Sequence, residues 1–600
     1  MHLTRTVRTR TPLAAMSQRE ITAIEASVAR TLRSSVAPLD PLDIARSLVR
    51  QVISAYWKET EARLGGQAEL REMPSEISLA PLEPEVCELA QKMGTKAAEL
   101  DVLDASYRIG VLYTGLMPDE RQARLGAHYT PRALCQRLLD MAEDAGTEWD
   151  TARVLDPACG GGAFLSPLAL RMAASLKDQP AETVLTSIEQ RLRGYEIDSF
   201  AAWMSEVFLD VILAELCLEA GRPLKSLVQV CDALEQEPGS EKFDLVIGNP
   251  PYGRITLSPN LRQRFQRSLF GHANLYGVFA DLALRFTSSS GVIAYVTPTS
   301  FLSGEYFKGL RVLLGWEAPP VSIDFIAERK GVFADVLQET MLATYQHGRE
   351  PGAVSVHFLT QDQQGSVKIT GAGSFNLSEE LDRPWLIPRS DRQSELVGRV
   401  SRLPYRLADY GYKVSTGPLV WNRHKSGLRD EPGEGRYPLL WAESVRSNGV
   451  FEFRAQKRNH KPYFQPAKKE HWVVTDHPCV LLQRTTAKEQ CRRLIAAELP
   501  EQFIRKHGAV VVENHLNMIK PLNGTPKVSA AALAALLNSD VVDQVFRCIN
   551  GSVAVSAYEL QALPLPSPDD VKDIEELIET RARREAVEQA IEHLYGGEAK

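Results

Sequence analysis

Three consecutive glycines, Gly160, Gly161 and Gly162, stand between a short strand-forming run that opens at Val154-Leu155 and a helix-forming run that opens at Ala163-Phe164-Leu165. Glycine is what lets a backbone turn this tightly, or approach a ligand this closely, without a Cβ clash. A strand, a tight turn and a helix form the first half of a βαβ unit, and such units build parallel sheets covered by helices. The turn is neither a P-loop, which requires Gly-Lys-Ser/Thr, nor the dinucleotide pattern G-x-G-x-x-G. It has no lysine to seek a phosphate, so a nucleoside without phosphates suits it better.

The same logic repeats downstream. Residues 193–198 read as a second strand, ending in Glu196, 36 positions after Gly160. An acid at that strand end can take both hydroxyls of a ribose. The gap between them holds an extra helix over 181–191. Residues 228–234 read as a third strand carrying Asp232, placed to accept an adenine amino proton. A fourth, 243–248, stops at Asn249-Pro250-Pro251-Tyr252. Two prolines cannot continue a sheet, so the chain leaves the strand as a stiff turn. That turn offers an amide oxygen on Asn249 and the carbonyl of Pro250 to the two N–H donors of an amino group, with Tyr252 able to lie on a flat ring. Singly, each acid reads as an ordinary surface carboxylate and the Asn as a polar strand exit. Four consecutive strand ends with such groups point to one site, because ligands of open α/β sheets sit at the carboxyl ends of strands. Further strands over 291–296, 321–326 and 341–346, with a helix over 273–288, bring the sheet to seven. Phe333 lies on a loop between the last two; a lone Phe is ordinarily core.

Upstream, Leu125-Gly126-Ala127-His128-Tyr129-Thr130-Pro131 opens a helix running to about 145, with Thr130 as cap and Pro131 at the first helical position. Its free N–H groups suit a carboxylate. Before that, apolar residues at three- and four-residue spacing predict helices over 19–33, 41–61, 84–103 and 105–117, with no visible chemistry. After about 350 the pattern changes to short β runs and turns, in which basic residues alternate with aromatics and amides: Trp421, Arg423, Lys457, Arg458, His460 and Arg484. That inventory grips phosphates and reads base edges. The net charge of −7 argues against a polyanion partner until it is mapped: 401–520 hold 21 Lys and Arg against 12 Asp and Glu, a local +9. An apolar helix over 529–537 and a charged helix over 571–600 close the chain.

These motifs, in this order, resemble those of the gamma-class (TaqI-like) site-specific DNA adenine-N6 methyltransferases of restriction-modification systems. The likeness covers 120–350 through specific motifs and 380–566 more loosely. It implies a Rossmann-like, seven-stranded, S-adenosylmethionine-dependent methyltransferase fold. The domains would be an N-terminal helical domain (1–120), a catalytic domain (121–350), a mixed α+β target-recognition domain (351–570) and the charged helix. The resemblance places S-adenosylmethionine on Tyr129, Thr130, Asp156, Ala158, Gly160, Glu196, Asp232 and Asn249. It makes Asn249, Pro250, Tyr252 and Phe333 the groups around a flipped adenine, Phe333 sitting where the family puts a second stacking aromatic. Double-stranded DNA would be the partner and a separately encoded cognate restriction endonuclease the counterpart; no metal and no membrane are implied. The loop reads Ala-Cys-Gly-Gly-Gly where relatives often have Ala-Cys-Gly-Ser-Gly.

Release-factor glutamine methylases and ribosomal RNA guanine methylases also use Asn-Pro-Pro-Tyr on this fold, but those chains are usually short and lack a basic β-rich segment. A DNA-recognition subunit without catalysis is another reading, opposed by the intact Asn249 and glycine loop. A fused nuclease would show Pro-Asp…Glu-x-Lys in the first hundred residues, and none is found there. Eight scattered cysteines, without metal-ligand spacing, read as reduced thiols of a cytoplasmic protein. No apolar run approaches the roughly 20 residues a bilayer crossing needs. Arg5, Arg8 and Arg10 are followed by no apolar run, so no secretory leader is expected.

Overall fold

A computed structural model describes residues 40–65, 69–118, 120–122, 129–326, 340–361, 367–486, 492–551 and 554–596. The chain divides into two compact units, one ending at Gly253 and the other starting at Arg254. The helix expected over 19–33 lies outside the described residues, as do Gly126, Ala127, His128 and Phe333.

The first unit opens with three helices, α1 (Pro41–Arg63), α2 (Pro84–Ala97) and α3 (Val102–Leu116). Asp40 caps α1 by accepting the Leu42 N–H at 2.9 Å, with Pro41 at the first helical position. The boundary expected between the helices over 84–103 and 105–117 falls earlier: α2 stops at Ala97, and Asp101 caps α3 by accepting the Leu103 N–H at 3.0 Å. The local hydrogen bond wins over a continuous apolar stripe. Gly94 lets α2 lie against α1, since a Cβ there would stand 2.3 Å from the Val52 carbonyl oxygen.

The sheet of this unit has four parallel strands, β1 (Val154–Asp156), β2 (Leu192–Glu196), β3 (Val228–Val230) and β4 (Phe243–Gly248), in the order β4-β1-β2-β3. Asp156 lies beside Gly194 and Glu196 beside Val230, so the acid-bearing ends share one edge. Helices α4 (Arg132–Asp144), α5 (Leu165–Ser175), α6 (Ala181–Arg191) and α7 (Ser199–Ile212) connect and cover the strands. The N-terminal helices and α7 bury one apolar core, including Val52, Trp57, Ala105, Ile109, Phe200, Trp203 and Phe208. Full burial of such side chains stabilises by about 1.5–3 kcal/mol each.

Past a short helix over Pro259–Arg264, the second unit carries helix α8 (Leu275–Phe286) and strand β5 (Thr287–Pro298), followed by α9 (Lys308–Glu317). Strands β6 (Pro320–Ile326), β7 (Thr340–Gln346), β8 (Val354–Gln361) and β9 (Val367–Phe375) complete the order β5-β7-β6-β8-β9. Only β6 and β8 run parallel among these pairs. All seven segments expected as strands are strands, and β8 and β9 extend the second unit's group. Helix α10 (Asp391–Val400) leads to a four-stranded sheet of β10 (Tyr412–Thr416), β11 (Val480–Gln483), β12 (Ala496–Glu498) and β13 (Leu516–Pro521), ordered β10-β13-β11-β12. A second small sheet is built around Tyr437–Leu440 and Val510–Val512. Helices α11 (Ala530–Leu537) and α12 (Asp540–Ile549) close the core. The single charged helix expected over 571–600 is instead two, α13 (Lys572–Glu579) and α14 (Arg584–Leu594). Arg581, at φ 53°, breaks it, because a left-handed residue cannot continue an α-helix. Among the described residues no helix is long and apolar enough to cross a membrane.

Candidate active site

Strand β4 delivers Asn249 half-buried at its carboxyl end, followed by buried Pro250. Gly248 precedes it for a spatial reason: a Cβ there would stand 2.6 Å from Asp156 Oδ1. The Asn249 amide is held at both ends. Its Nδ2 donates to Thr130 Oγ1 at 3.0 Å, and the Tyr252 hydroxyl donates to its Oδ1 at 2.6 Å. An amide oxygen has two lone pairs, so one acceptor position remains for an incoming donor.

Thr130 corrects the sequence reading of the α4 start. It is not the helix cap; Pro131 occupies the cap position, without a side-chain cap bond, and the Thr130 hydroxyl is engaged with Asn249 instead. Beside it, the Tyr129 hydroxyl donates to the Gly161 carbonyl at 2.7 Å.

The glycine turn is left-handed at Gly160 (φ 54°) and Gly162 (φ 86°). A Cβ on Gly160 would meet open space, whereas one on Gly161 would stand 3.0 Å from the Tyr129 ring. The turn is tied to β2 by the Gly160 N–H donating to Glu196 Oε2 at 2.8 Å, and the Asp198 N–H donates to the other oxygen, Oε1, at 2.8 Å. Ser205, from α7, donates to the Gly160 carbonyl at 2.7 Å. Asp156 accepts the Ala158 N–H at 3.1 Å.

Burial pushes the Asp156 carboxyl up to about 8, against the opposing pull of the Ala158 N–H. Glu196 rises to about 7 through the same desolvation, opposed by the Asp198 and Gly160 N–H groups. Asp232 differs: it is exposed, two residues beyond β3, and accepts the Leu234 N–H at 2.9 Å as the cap of a short 3₁₀ turn.

Sequence reasoning missed the apolar rim. Ile197 is 56 % exposed directly after Glu196, and Val230 is 52 % exposed at its β3 partner position. A large aliphatic side chain following the strand-end acid was the signal available. Ser205 left none, since a serine inside a helix is unremarkable.

In the second unit, the expected DNA-contacting residues fall into two groups. His460 stacks on Trp441, ring centroids 3.8 Å apart and 9° from parallel, with its Nδ1 3.2 Å from Glu443 Oε1. Trp421 packs edge-on against the same Trp441 at 6.1 Å, and Arg484 donates to the Asn514 carbonyl at 3.3 Å. These three are anchored within the unit. Arg423, Lys457 and Arg458 are exposed.

Residues 198–333, which include Asn249 to Tyr252, match the family model of the Eco57I restriction-modification methylase. The chain carries a restriction-modification methylase domain. The methylase is similar to the type II methyltransferase M.BsuBI of Bacillus subtilis, 26% identical over 457 residues that cover 75% of this chain and 89% of that protein. M.PstI of Providencia stuartii is 29% identical over 343 residues, covering 56% of the methylase and 67% of its relative. Among solved structures, the type IIL restriction-modification enzyme MmeI in complex with DNA shares the fold, with a TM-score of 0.52 at 14% identity over 97% of the methylase and 93% of that chain.

Proposed function

We propose that the methylase transfers a methyl group from S-adenosylmethionine to the N6 amino group of an adenine flipped out of a specific duplex DNA sequence, protecting that DNA from a separately encoded restriction endonuclease. The observation that carries the reading is the Asn249 amide, fixed between two hydroxyls at the end of β4 and beside the glycine turn. The geometry fits the methyl donor: open space at Gly160, two carboxyl groups on one sheet edge and an apolar rim at Ile197 and Val230 suit a cationic nucleoside bearing hydroxyls. Tyr129, Thr130, Asp156, Ala158, Gly160, Glu196 and Asp232 would hold it, and when bound it supplies an electrophilic methyl group on sulfur.

The residues around Asn249 do the rest. An exocyclic adenine amine is a poor nucleophile because its lone pair is delocalised into the ring. Accepting one N–H at Asn249 Oδ1 and the other at the Pro250 carbonyl favours a more tetrahedral nitrogen with a directed lone pair. Positioning and fixed dipoles supply the rate, and no base has to remove a proton before attack. Extrusion of the base costs a few kcal/mol, which stacking on the Tyr252 ring, and on Phe333, offsets in part. Residues 351–570 serve target recognition, with Arg423, Lys457 and Arg458 available to phosphates.

Asn249→Ala tests this. Methyl transfer to duplex DNA, followed by mass spectrometry of the nucleosides, is expected to fall by about 10²–10³-fold, the scale of losing one transition-state hydrogen-bond partner. S-adenosylhomocysteine binding, which the other residues of the site carry, should fall far less than methyl transfer. Unchanged transfer in the variant, or methyl groups found on cytosine or on protein in place of adenine N6, refutes the proposal.

A further inference from the structure

Two points of the proposed methyl-donor site are reached by the N-terminal helices. At the first, Gly110 of α3 faces Tyr129: a Cβ at that position would stand 2.0 Å from Tyr129 Cε2, so the phenol ring lies directly on the helix backbone. Tyr107 packs its ring 5.9 Å from that of Tyr129, at 60°. With the Tyr129 hydroxyl on Gly161, the ring is seated on the helix side and tied on the loop side. At the second point, the buried carboxylate of Asp198 takes the Tyr113 hydroxyl of α3 on Oδ2 at 2.5 Å and the Arg46 guanidinium of α1 on Oδ1 at 3.3 Å. The same carboxylate caps α7 through the Phe200 N–H at 3.1 Å. The Asp198 N–H is one of the two that hold Glu196. Removing a partner from a buried carboxylate leaves an under-satisfied charge, which moves the backbone it belongs to.

The seat of the Tyr129 ring requires glycine at 110, since any Cβ there would enter the ring, and packing alone does not send a phenol and a guanidinium from different helices to the two oxygens of one carboxylate. We infer that the N-terminal helical layer is a working wall of the methyl-donor site, seating Tyr129 through Gly110 and setting Glu196 through Arg46, Tyr113 and Asp198. This rests on the reading of Tyr129 and Glu196 as ligands of that donor. Arg46, Gly110 and Tyr113 are positioning residues, since they act through Tyr129 and Glu196.

Three variants of the full chain test the wall: Tyr113→Phe, which deletes one hydroxyl, Arg46→Gln, and Gly110→Ala. Calorimetric titration with S-adenosylhomocysteine is expected to show affinity about tenfold weaker in each, the scale of one hydrogen bond to a charged group. Affinity for a duplex oligonucleotide, measured by fluorescence anisotropy without the nucleoside, should stay unchanged. Gly115→Ala, on the same helix but facing open space, should change neither quantity. Wild-type S-adenosylhomocysteine affinity in Tyr113→Phe and Arg46→Gln overturns the inference. Equal losses of nucleoside and duplex affinity also overturn it, because they reduce the helices to a scaffold. Should Gly110→Ala not fold, the other two variants decide. Failure of the unaltered protein itself to bind S-adenosylhomocysteine overturns the reading of the site, a result distinct from failure of the variants.

Discussion

Asp156 keeps a carboxyl group 1 % exposed, and the backbone is arranged to admit it: only a glycine at 248 leaves room, since a Cβ would stand 2.6 Å from Oδ1. Confinement has an electrostatic consequence. With Asp156 raised to about 8 and Glu196 to about 7, the folded protein holds protons that the unfolded chain has already released. The unfolded state therefore binds fewer protons between the ordinary carboxyl range and these values, and stability of the unliganded protein falls as pH rises through that window. A donor carrying a positive charge and hydroxyl groups favours the ionised carboxylates, so its binding expels protons and tightens with rising pH. Titrating S-adenosylhomocysteine in buffers of different ionisation enthalpy between about pH 6 and 8 measures the release. The neutral sulfur of that analogue leaves the ribose contacts to Glu196 as the main cause, and no proton release argues against them. At this scale Asn249 was legible because two prolines mark it. Thr130 was among the expected site residues, but its pairing with Asn249, 119 positions away, was not legible.

Helix boundaries follow local chemistry more closely than the apolar stripe does. The break between α2 and α3 falls where Asp101 turns its carboxylate onto the Leu103 N–H. Asp101→Ala is expected to lower stability by about 1 kcal/mol, the ordinary worth of such a cap, measured by denaturant unfolding. Arg132→Ala, which removes the exposed pairs that Arg132 makes with Asp101 at 2.9 Å and Asp104 at 3.3 Å, should cost less, because exposed pairs contribute roughly 0–1 kcal/mol. The reverse order of effects would assign the stabilisation to the ion pair. The start of α4 shows the converse case. Thr130-Pro131 has the composition of a cap, yet a tertiary partner, Asn249, takes the hydroxyl a cap would have used. Local propensity is only a prior, and a fixed partner elsewhere in the fold outweighs it.

Charge is distributed unevenly along the molecule: a local +9 over 401–520 sits on a chain of net −7. Exchanging Lys457 and Arg458 together for Gln is expected to weaken duplex binding uniformly across sequences. The slope of log affinity against log salt should become shallower by roughly 2, about 1 per lost phosphate contact. An unchanged slope removes both residues from the DNA interface. His460, Trp421 and Arg484 are poorer candidates for the same experiment, since their rings and guanidinium are already used inside the second unit. The sequence by itself determined the seven strand segments, the glycine turn and the strand-end positions of Glu196 and Asn249. Those features follow from short-range sterics: which residues tolerate a left-handed turn, and which prolines stop a strand. Tertiary structure alone decided which hydroxyls clamp the Asn249 amide, how far burial raises Asp156, and that Tyr113 and Arg46, 85 and 152 positions from Asp198, meet on its carboxylate. Burial and long-range pairing depend on how distant segments close in space, and no local pattern of residues encodes that distance.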